Sequence, residues 1–432
     1  MGIVVTAGNA LHHTAALIDS LGNHLGGTQA PLAVHSGDCW DNDAFGRYRT
    51  SSPTMQLDAQ HHYGQQHYLF QSVVASGGTL TDSPVDSSLT LTVTSTVGSK
   101  VTNRSKRMYY QAGLSQLVAM TFNFQTTQAG IVKRAGYFDN DDGVYLKNTG
   151  GVLSVVLRSS VTGVIVEEEV PRSGWFDPLD GTGPSGITLN TITTQILLMD
   201  LQWLGVGRVR LALDIGGVTV PFAEINNANV RSQVYMQTAN LPVTYEIENV
   251  SSLLGSTMMQ ICSAVYSEGS TGLLSTKHAA SNEATPRSVG AASFFPVLSI
   301  RPAQLFNGRA NKGSIIPLRT EVFITGNNAI HWELWQDATI TGGTWLPQGD
   351  VASMAEYNVT ATAVTAPLSV SSEGYAAAGG KAGLTNTSTS DVKTNHNLQI
   401  DPGGTANTLT LVAKTRSGTA SVYGAFEWGE RY

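Results

Sequence analysis

The chain has 432 residues, with 25 basic and 32 acidic side chains, a formal net charge of −7 and a hydrophobic fraction of 41%. This length predicts two or three domains with true hydrophobic cores, and the apolar content excludes a wholly disordered chain. The acidic balance argues against a dedicated nucleic-acid-binding protein, which would need a basic face.

The first 60 residues contain the clearest helical periodicity. Between Asn9 and Leu25, apolar residues recur at steps of three and four, Asn9 can cap the helix, and Gly26 can end it. An irregular segment follows as far as Pro53. We therefore interpret residues 1–60 as a helical and irregular attachment arm, with a helix packed on the main domain as the alternative.

From about residue 65 the pattern changes to that of short β-strands. Residues 89–94 and 243–248 alternate apolar and polar side chains, as half-buried strands do. Residues 148–151 and 214–217 have the composition of hairpin turns. Further strands are predicted at 117–124, 143–146, 152–157, 161–166, 196–201, 206–215, 218–222 and 260–266.

The C-terminal part returns to the pattern of short β-strands after a polar stretch. Residues 267–288 predict a long loop or linker, and residues 371–397, which are poor in large apolar side chains, predict another loop. Strands are predicted at 315–324, 330–335, 357–364, 409–414 and 421–428. The expected fold is all-β: a short N-terminal helical arm at 1–60, an antiparallel β-sandwich of the jelly-roll kind at 61–290, and a second β domain at 291–432.

Three aspartates, Asp139, Asp141 and Asp142, precede Gly143. Carboxylate oxygens suit Ca²⁺, but the spacing is not that of an EF-hand, and Asp-Asp-Gly is typical of a hairpin turn. We favour the turn and keep the three aspartates as weak cation candidates. Histidines are concentrated before residue 68 without the spacing of known metal motifs, so no metal ligand is assigned.

Acidic residues on predicted strands offer a candidate hydrolase site. Glu246 and Glu248 share one strand face, and a glycoside hydrolase needs two carboxylates about 5 to 9 Å apart. Glu246 with Glu268 is the pair that we would test, although a solvated β face explains these residues equally well. No nucleotide-binding or catalytic motif has its proper context, so we predict no catalytic residue and no cofactor.

Three tryptophans, Trp332, Trp335 and Trp345, lie close together in the C-terminal part. Strand alternation places Trp332 and Trp335 on opposite faces, so we expect one in the core and the other facing a neighbour or solvent. We favour packing roles. Contact with a glycan or with a neighbouring subunit is the alternative.

Several segments form a recognisable set: 107–113 (RMYYQAG), 136–145 (GYFDNDDGVY), 203–210 (WLGVGRVR), 237–249 (QTANLPVTYEIEN), 260–269 (QICSAVYSEG) and, more weakly, 426–430 (FEWGE). Together they resemble a family of virion structural proteins of tailed bacteriophages, often marine or cyanobacterial. Its members resemble surface appendages, fibres or decoration proteins. The resemblance implies a particle component with no catalytic residues to carry over, and it does not extend to residues 1–90.

These observations together predict a non-enzymatic structural component of a tailed-phage virion, either a capsid decoration or a head or tail fibre. We expect a symmetric homo-oligomer, a trimer in the first instance, bound to capsid or tail proteins, because closed oligomers hide sheet edges. We expect neither nucleic-acid binding nor membrane insertion, since no run approaches 18 apolar residues. The alternatives are a receptor-binding tail protein that recognises a host surface glycan and a polysaccharide depolymerase.

Overall fold

The computed structural model describes residues 43–44, 49, 53–269, 275–376, 387–391 and 397–432. The helix expected between residues 9 and 25 lies outside these ranges. Residues Asp43–Tyr432 form one structural unit, which contains two β-sandwiches. Within the described ranges, no helix has the length and apolar character that crossing a membrane requires.

The first sandwich is built from strands at the N-terminal side of this unit and one short 3-10 helix, Arg172–Gly174. The strands are β1 (Thr54–Gln60), β2 (Phe70–Ala75), β3 (Thr79–Ser83), β4 (Ser88–Val93), β5 (Lys100–Arg107), β6 (Gln116–Asn123), β7 (Ile131–Phe138), β8 (Gly143–Thr149), β9 (Val152–Ser159), β10 (Val166–Pro171), β11 (Gln195–Leu201), β12 (Val209–Ile215), β13 (Val218–Ile225), β14 (Pro242–Asn249) and β15 (Ser256–Ser267).

These strands form two antiparallel sheets. Sheet 1 has the order β13-β12-β11-β6-β15-β4-β3, with β1 also paired to β15, and sheet 2 has the order β10-β9-β8-β7-β14-β5-β2. Alternate residues of β6, such as Met120 and Phe122, pack against Tyr245 and Ile247 of β14 in the shared core. Burial of each such side chain contributes about 1.5–3 kcal/mol to the free energy of unfolding. Apolar residues at alternate positions of a strand therefore predict that one face of the strand packs in the core.

The second sandwich follows in the chain. Its strands are β16 (Thr276–Ser281), β17 (Arg287–Val289), β18 (Phe295–Pro302), β19 (Leu305–Phe306), β20 (Arg309–Ala310), β21 (Ser314–Thr325), β22 (Ile330–Gln336), β23 (Thr339–Thr341), β24 (Leu346–Pro347), β25 (Ala355–Asn358), β26 (Ala363–Thr365), β27 (Ser369–Ala376), β28 (Thr387–Asp391), β29 (Leu409–Thr415) and β30 (Ala420–Arg431).

Sheet 3 has the order β16-β30-β21-β28, with β17 also on β30, and sheet 4 has the order β24-β25-β18-β29-β22-β27. The strands β19 and β20 pair with each other, and so do β23 and β26. The core of this sandwich contains Trp332 and Leu334 from sheet 4 and Phe426 and Trp428 from sheet 3.

The all-β, antiparallel sandwich fold expected from the sequence is confirmed. The hairpin predicted at 148–151 joins β8 to β9, and Gly150 and Gly151 have the positive φ angles of 58° and 103° that its tight turn requires. The hairpin predicted at 214–217 joins β12 to β13 in the same way.

Several segments differ from the prediction. Residues 161–165 form a turn, and the strand expected there is β10, at Val166–Pro171. The strand expected at 357–364 is divided between β25 and β26. The loop expected at 267–288 contains β16 and most of β17, and the loop expected at 371–397 contains most of β27 and all of β28. β16, β27 and β28 are edge strands, and edge strands need no continuous apolar face.

Sheet membership also crosses the expected domain ranges. β1 lies within residues 1–60 but pairs with β15 of the first sandwich. β16 and β17 lie before residue 290 but pair with β30 of the second sandwich. The first sandwich therefore takes its strands from residues 54–267, and the second from residues 276–431.

Candidate functional site

A cleft of about 1170 Å³ lies between the two sandwiches. Strands β2 and β5 and the turn after β7 line it from the first sandwich. The second sandwich contributes the segment after β22, the loop that holds Trp345, and residues 398–408. Concave sites of this kind form preferentially where two domains meet.

The lining of the cleft is polar and balanced in charge. Its side chains include four bases (Arg104, Lys106, Arg107 and Arg301), four acids (Asp139, Asp141, Asp337 and Asp401) and seven amides (Gln65, Gln71, Asn140, Gln304, Gln336, Gln399 and Asn407). Each amide carries both donors and acceptors. The lining of the cleft is therefore rich in neutral hydrogen-bonding groups and has no excess of either charge.

Hydrogen bonds across the cleft join the two sandwiches. The Gln399 side chain accepts from the Arg107 backbone N–H at 2.8 Å, and its amide nitrogen donates to the Arg107 carbonyl at 2.8 Å. The Gln71 amide donates to Asp401 Oδ2 at 3.1 Å. A paired amide of this kind fixes the distance between the two walls of the cleft.

Lys106 and Asp337 are two titratable groups of the cleft whose pKa values are shifted by burial. Burial lowers the pKa of Lys106, and Nζ donates to the Asn397 carbonyl at 2.9 Å. Burial raises the pKa of Asp337, although Oδ1 accepts the Thr408 N–H at 2.8 Å. Asp337 also has a φ of +49°, in the left-handed region. Perturbed pKa values and backbone strain together are typical of functional sites.

Trp345 supplies an aromatic surface to the cleft. The Arg301 guanidinium lies over the Trp345 ring, 4.1 Å from its centroid, and is held by Glu356 at 2.9 and 2.8 Å. Because the cation and its carboxylate fix one side of the ring, the indole is a rigid element of the lining.

The other two tryptophans singled out in the sequence do not line the cleft. Trp332 is 2% exposed and belongs to the core of the second sandwich. Trp335 lies on the opposite face of β22, where it is half-buried, packs on Phe294 at 5.3 Å and donates to Glu333 at 2.5 Å. The expected division into a core tryptophan and an outward one is thus confirmed.

The three aspartates kept as cation candidates bind a lysine. Lys312 Nζ lies 2.9 Å from Asp139, 3.0 Å from Asp141 and 3.2 Å from Asp142, and Arg107 contacts Asp139 at 2.5 Å. Burial would raise the pKa of Asp139, but these two cations hold it well below its usual range. The segment is the expected turn, because Asp139 Oδ1 accepts the N–H groups of Asp141 and Asp142. The Lys312 ammonium occupies the position that a metal ion would need, so the three aspartates bind a protein cation in place of a metal.

The glutamates proposed for a hydrolase site each form ion pairs with arginine side chains. Glu246 and Glu248 share a face, as predicted, and Arg134 contacts them at 2.6 and 2.9 Å. Glu268 follows β15 of the other sheet and contacts Arg49 at 2.6 Å. Glu246 lies on a strand of sheet 2 and Glu268 follows a strand of sheet 1, and the two contact different arginines.

Sequence reasoning missed most of the cleft. Gln71 and Asp401 meet across 330 positions, and no local pattern indicates such a pair. The sequence indicates Trp345 only as one of three tryptophans that lie close together in the C-terminal part. The positive φ of Asp337 could have been anticipated only from its place just after a strand, since Asp tolerates this conformation.

No protein-family model and no curated protein matches this chain. Among solved structures, the β-glucanase of Bacillus licheniformis has 13% identity and a TM-score of 0.32, with 50% of this chain and 99% of the glucanase covered. The endo-1,3-β-glucanase of Streptomyces sioyaensis has 11% identity and a TM-score of 0.33, covering 51% and 97%. A legume lectin-like domain from Entamoeba histolytica has 8% identity and a TM-score of 0.29, covering 50% and 99%. Values this low carry no argument about ligand or activity.

Proposed function

We propose that this protein recognises a neutral oligosaccharide in the cleft between its two sandwiches, without cleaving it, as an appendage of a tailed-phage virion. The observation that carries the recognition role is the cleft lining, with its balanced charges and seven amides beside Trp345. The virion setting rests on the sequence resemblance alone.

The chemistry of the lining favours sugars over other ligands. A phosphate or nucleic-acid ligand would need an excess of basic groups, but the four bases of the cleft are matched by four acids. Sugar hydroxyls both donate and accept, as the amide side chains of the lining do. The apolar face of a sugar ring can pack on an indole, which Trp345 provides. The volume suits a segment of several sugar rings better than a single small molecule.

Glycan binding can be tested with the full chain on an array of bacterial surface polysaccharides, followed by titration of the best ligand. We expect Trp345→Leu to weaken binding about tenfold, corresponding to about 1.4 kcal/mol of lost packing. Trp335→Leu is the matched control, because it removes a half-buried indole outside the cleft. Equal binding by both variants and the unaltered protein would reject the cleft as the site, and no binding to any glycan would reject the function.

Polysaccharide hydrolysis is a second candidate, favoured by the environment of Asp337. A glycosidase needs one carboxyl group whose raised pKa keeps it protonated and a second, ionised carboxylate across the substrate. The raised pKa of Asp337 meets the first part of this requirement, and Asp401, which lines the same cleft, is the candidate for the second carboxylate. The measurement is release of reducing ends from the bound glycan. Hydrolysis predicts activity that Asp337→Asn abolishes without loss of binding, whereas recognition alone predicts no product from the unaltered protein.

Self-association on a particle is supported by one exposed apolar segment. Val164, Ile165, Val166 and Val170 are 65, 56, 40 and 38% exposed, and the last two belong to the edge strand β10. We expect sedimentation velocity to give an oligomer that Val164→Asp with Ile165→Asp dissociates, while Val218→Asp, at an exposed site of sheet 1, does not. A monomer at micromolar concentration would contradict this part of the proposal. Copy number per particle then distinguishes decoration, with hundreds, from fibres, with about a dozen.

A further inference from the structure

Strands β22 and β27 bring three metal-ligating side chains together on one face of sheet 4. His331 and Glu333 are two residues apart on β22 and therefore share a face, and Glu373 lies directly opposite Glu333 on β27. One ligand atom from each side chain lies within 4.8 Å of the others. None of the three lines the cleft, so this group is separate from the function proposed above.

We propose that His331, Glu333 and Glu373 bind a divalent transition-metal ion, Zn²⁺, which joins the edge strand β27 to β22. One imidazole nitrogen and two carboxylate oxygens form a donor set that zinc accepts and that differs from the all-oxygen sets of Ca²⁺ and Mg²⁺. Three protein ligands leave the fourth position of a tetrahedral ion open.

The distances between the donor atoms fit a shared ion. Zinc–nitrogen and zinc–oxygen bonds of about 2.0–2.2 Å at tetrahedral angles place neighbouring ligand atoms about 3.4 Å apart. His331 Nε2 lies 3.3 Å from Glu373 Oε2 and 3.6 Å from Glu333 Oε1. The three side chains could therefore contact one ion with only small adjustments of their rotamers.

The two negative charges of Glu333 and Glu373 also favour a bound cation between them. Like charges directly opposite each other in an antiparallel pair destabilise a sheet, and Glu333 and Glu373 are such a pair. In the described part of the chain, no lysine or arginine forms an ion pair with either of them. The nearby Lys414 lies instead over the Phe294 ring, 4.3 Å from its centroid.

The surroundings hold two of the ligands in a suitable orientation. The Trp335 indole donates to Glu333 Oε2, which leaves Oε1 directed at His331. The His331 ring stacks on Tyr375, with centroids 4.7 Å apart and planes 17° apart, and packs on Phe294 at 5.4 Å. Hydrogen bonds that orient ligands, such as that from Trp335 to Glu333, are typical of metal sites in proteins. Loss of such a bond reduces metal affinity about 10–100-fold.

The test uses the full chain, stripped with a chelator, dialysed against Zn²⁺ and analysed for bound metal. Histidines near the N-terminus, such as His12 and His13, can also bind zinc, so the informative quantity is the difference between variants. We expect Glu373→Gln and His331→Gln to bind one zinc fewer per chain than the unaltered protein. Glu283→Gln, at an exposed glutamate of the same sandwich, should bind as much as the unaltered protein.

Two further measurements make the test specific for this position. Zinc should raise the thermal midpoint of the unaltered protein and of Glu283→Gln, but not that of Glu373→Gln. Crystals soaked in Zn²⁺ should give an anomalous peak between β22 and β27. Equal zinc content in the unaltered protein and Glu373→Gln, or a zinc peak elsewhere only, would overturn the proposal.

Discussion

The two carboxylate clusters of this molecule show why acidic residues that are neighbours in sequence need not form a metal site. Asp139, Asp141 and Asp142 lie together in one turn and receive Lys312, which the second sandwich supplies. Glu333 and Glu373 are 40 positions apart in the chain, and the register of two strands brings them together without a lysine or arginine partner among the described residues. The presence or absence of a protein cation, more than the density of acids in the sequence, distinguishes the two clusters.

The largest effect is expected from removing the cation of the first cluster. Lys312→Met leaves Asp142, which is 0% exposed, without its cation, and leaves Asp139, which is 2% exposed, with Arg107 alone. Breaking a buried ion pair from one side costs about 3–5 kcal/mol, and we expect this loss in the free energy of unfolding measured with urea at pH 7.

Lys277→Met is the matched control for that change, because Lys277 is an exposed lysine of the same sandwich. It should change the free energy of unfolding by less than about 0.5 kcal/mol. If the two variants are equally stable, the contact of Lys312 with the aspartates does not hold the sandwiches together, and the contrast between the clusters fails.

A second buried carboxylate should show the same dependence on its cations. Burial would raise the pKa of Glu246, but the charges of Arg134 and Lys100 lower it from 4.5 to about 2. A lowered folded-state pKa contributes stability that is complete above pH 4.5 and is lost as the pH falls towards 2. We expect Glu246→Gln to cost about 3 kcal/mol at pH 7 and almost nothing near pH 2, measured by denaturation across this range.

Glu248→Gln provides the comparison for Glu246. Glu248 contacts the same two cations, Arg134 and Lys100, but its side chain is 27% exposed, so water screens its charge. Its loss should cost no more than about 1 kcal/mol at pH 7. A cost as large as that of Glu246→Gln would mean that burial does not set the strength of these pairs.

The sequence predicted the parts of this fold that local chemistry determines. Strand β6 alternates in burial, and the hairpin at Gly150 and Gly151 needs positive φ angles, so both leave a local signal. β27 leaves almost none, because Ser371, Ser372 and Glu373 are polar residues of an edge strand whose status depends on hydrogen bonds to β22.

The candidate sites were less predictable than the fold, for the same reason. Lys312 reaches Asp142 across 170 positions, so the sequence could identify the turn but not its cation. His331 and Glu333 have the spacing that places two ligands on one strand face, but the third ligand, Glu373, lay in a segment predicted as a loop. The register of β22 with β27, which no local pattern encodes, brings Glu373 to these two residues.

The smallest expected effect is a stabilisation, and it directly tests the contrast between the two carboxylate clusters. In protein stripped of metal, at pH 8.5, Glu373→Gln removes one of two opposed charges that no lysine or arginine of the described chain balances. We expect the free energy of unfolding to rise by about 0.2–1 kcal/mol. Glu283→Gln, at an exposed glutamate outside any strand, should leave it unchanged. Destabilisation by Glu373→Gln under these conditions would mean that the contact between Glu373 Oε2 and His331 Nε2, at 3.3 Å, outweighs the repulsion between the two glutamates, and the contrast between the clusters would fail.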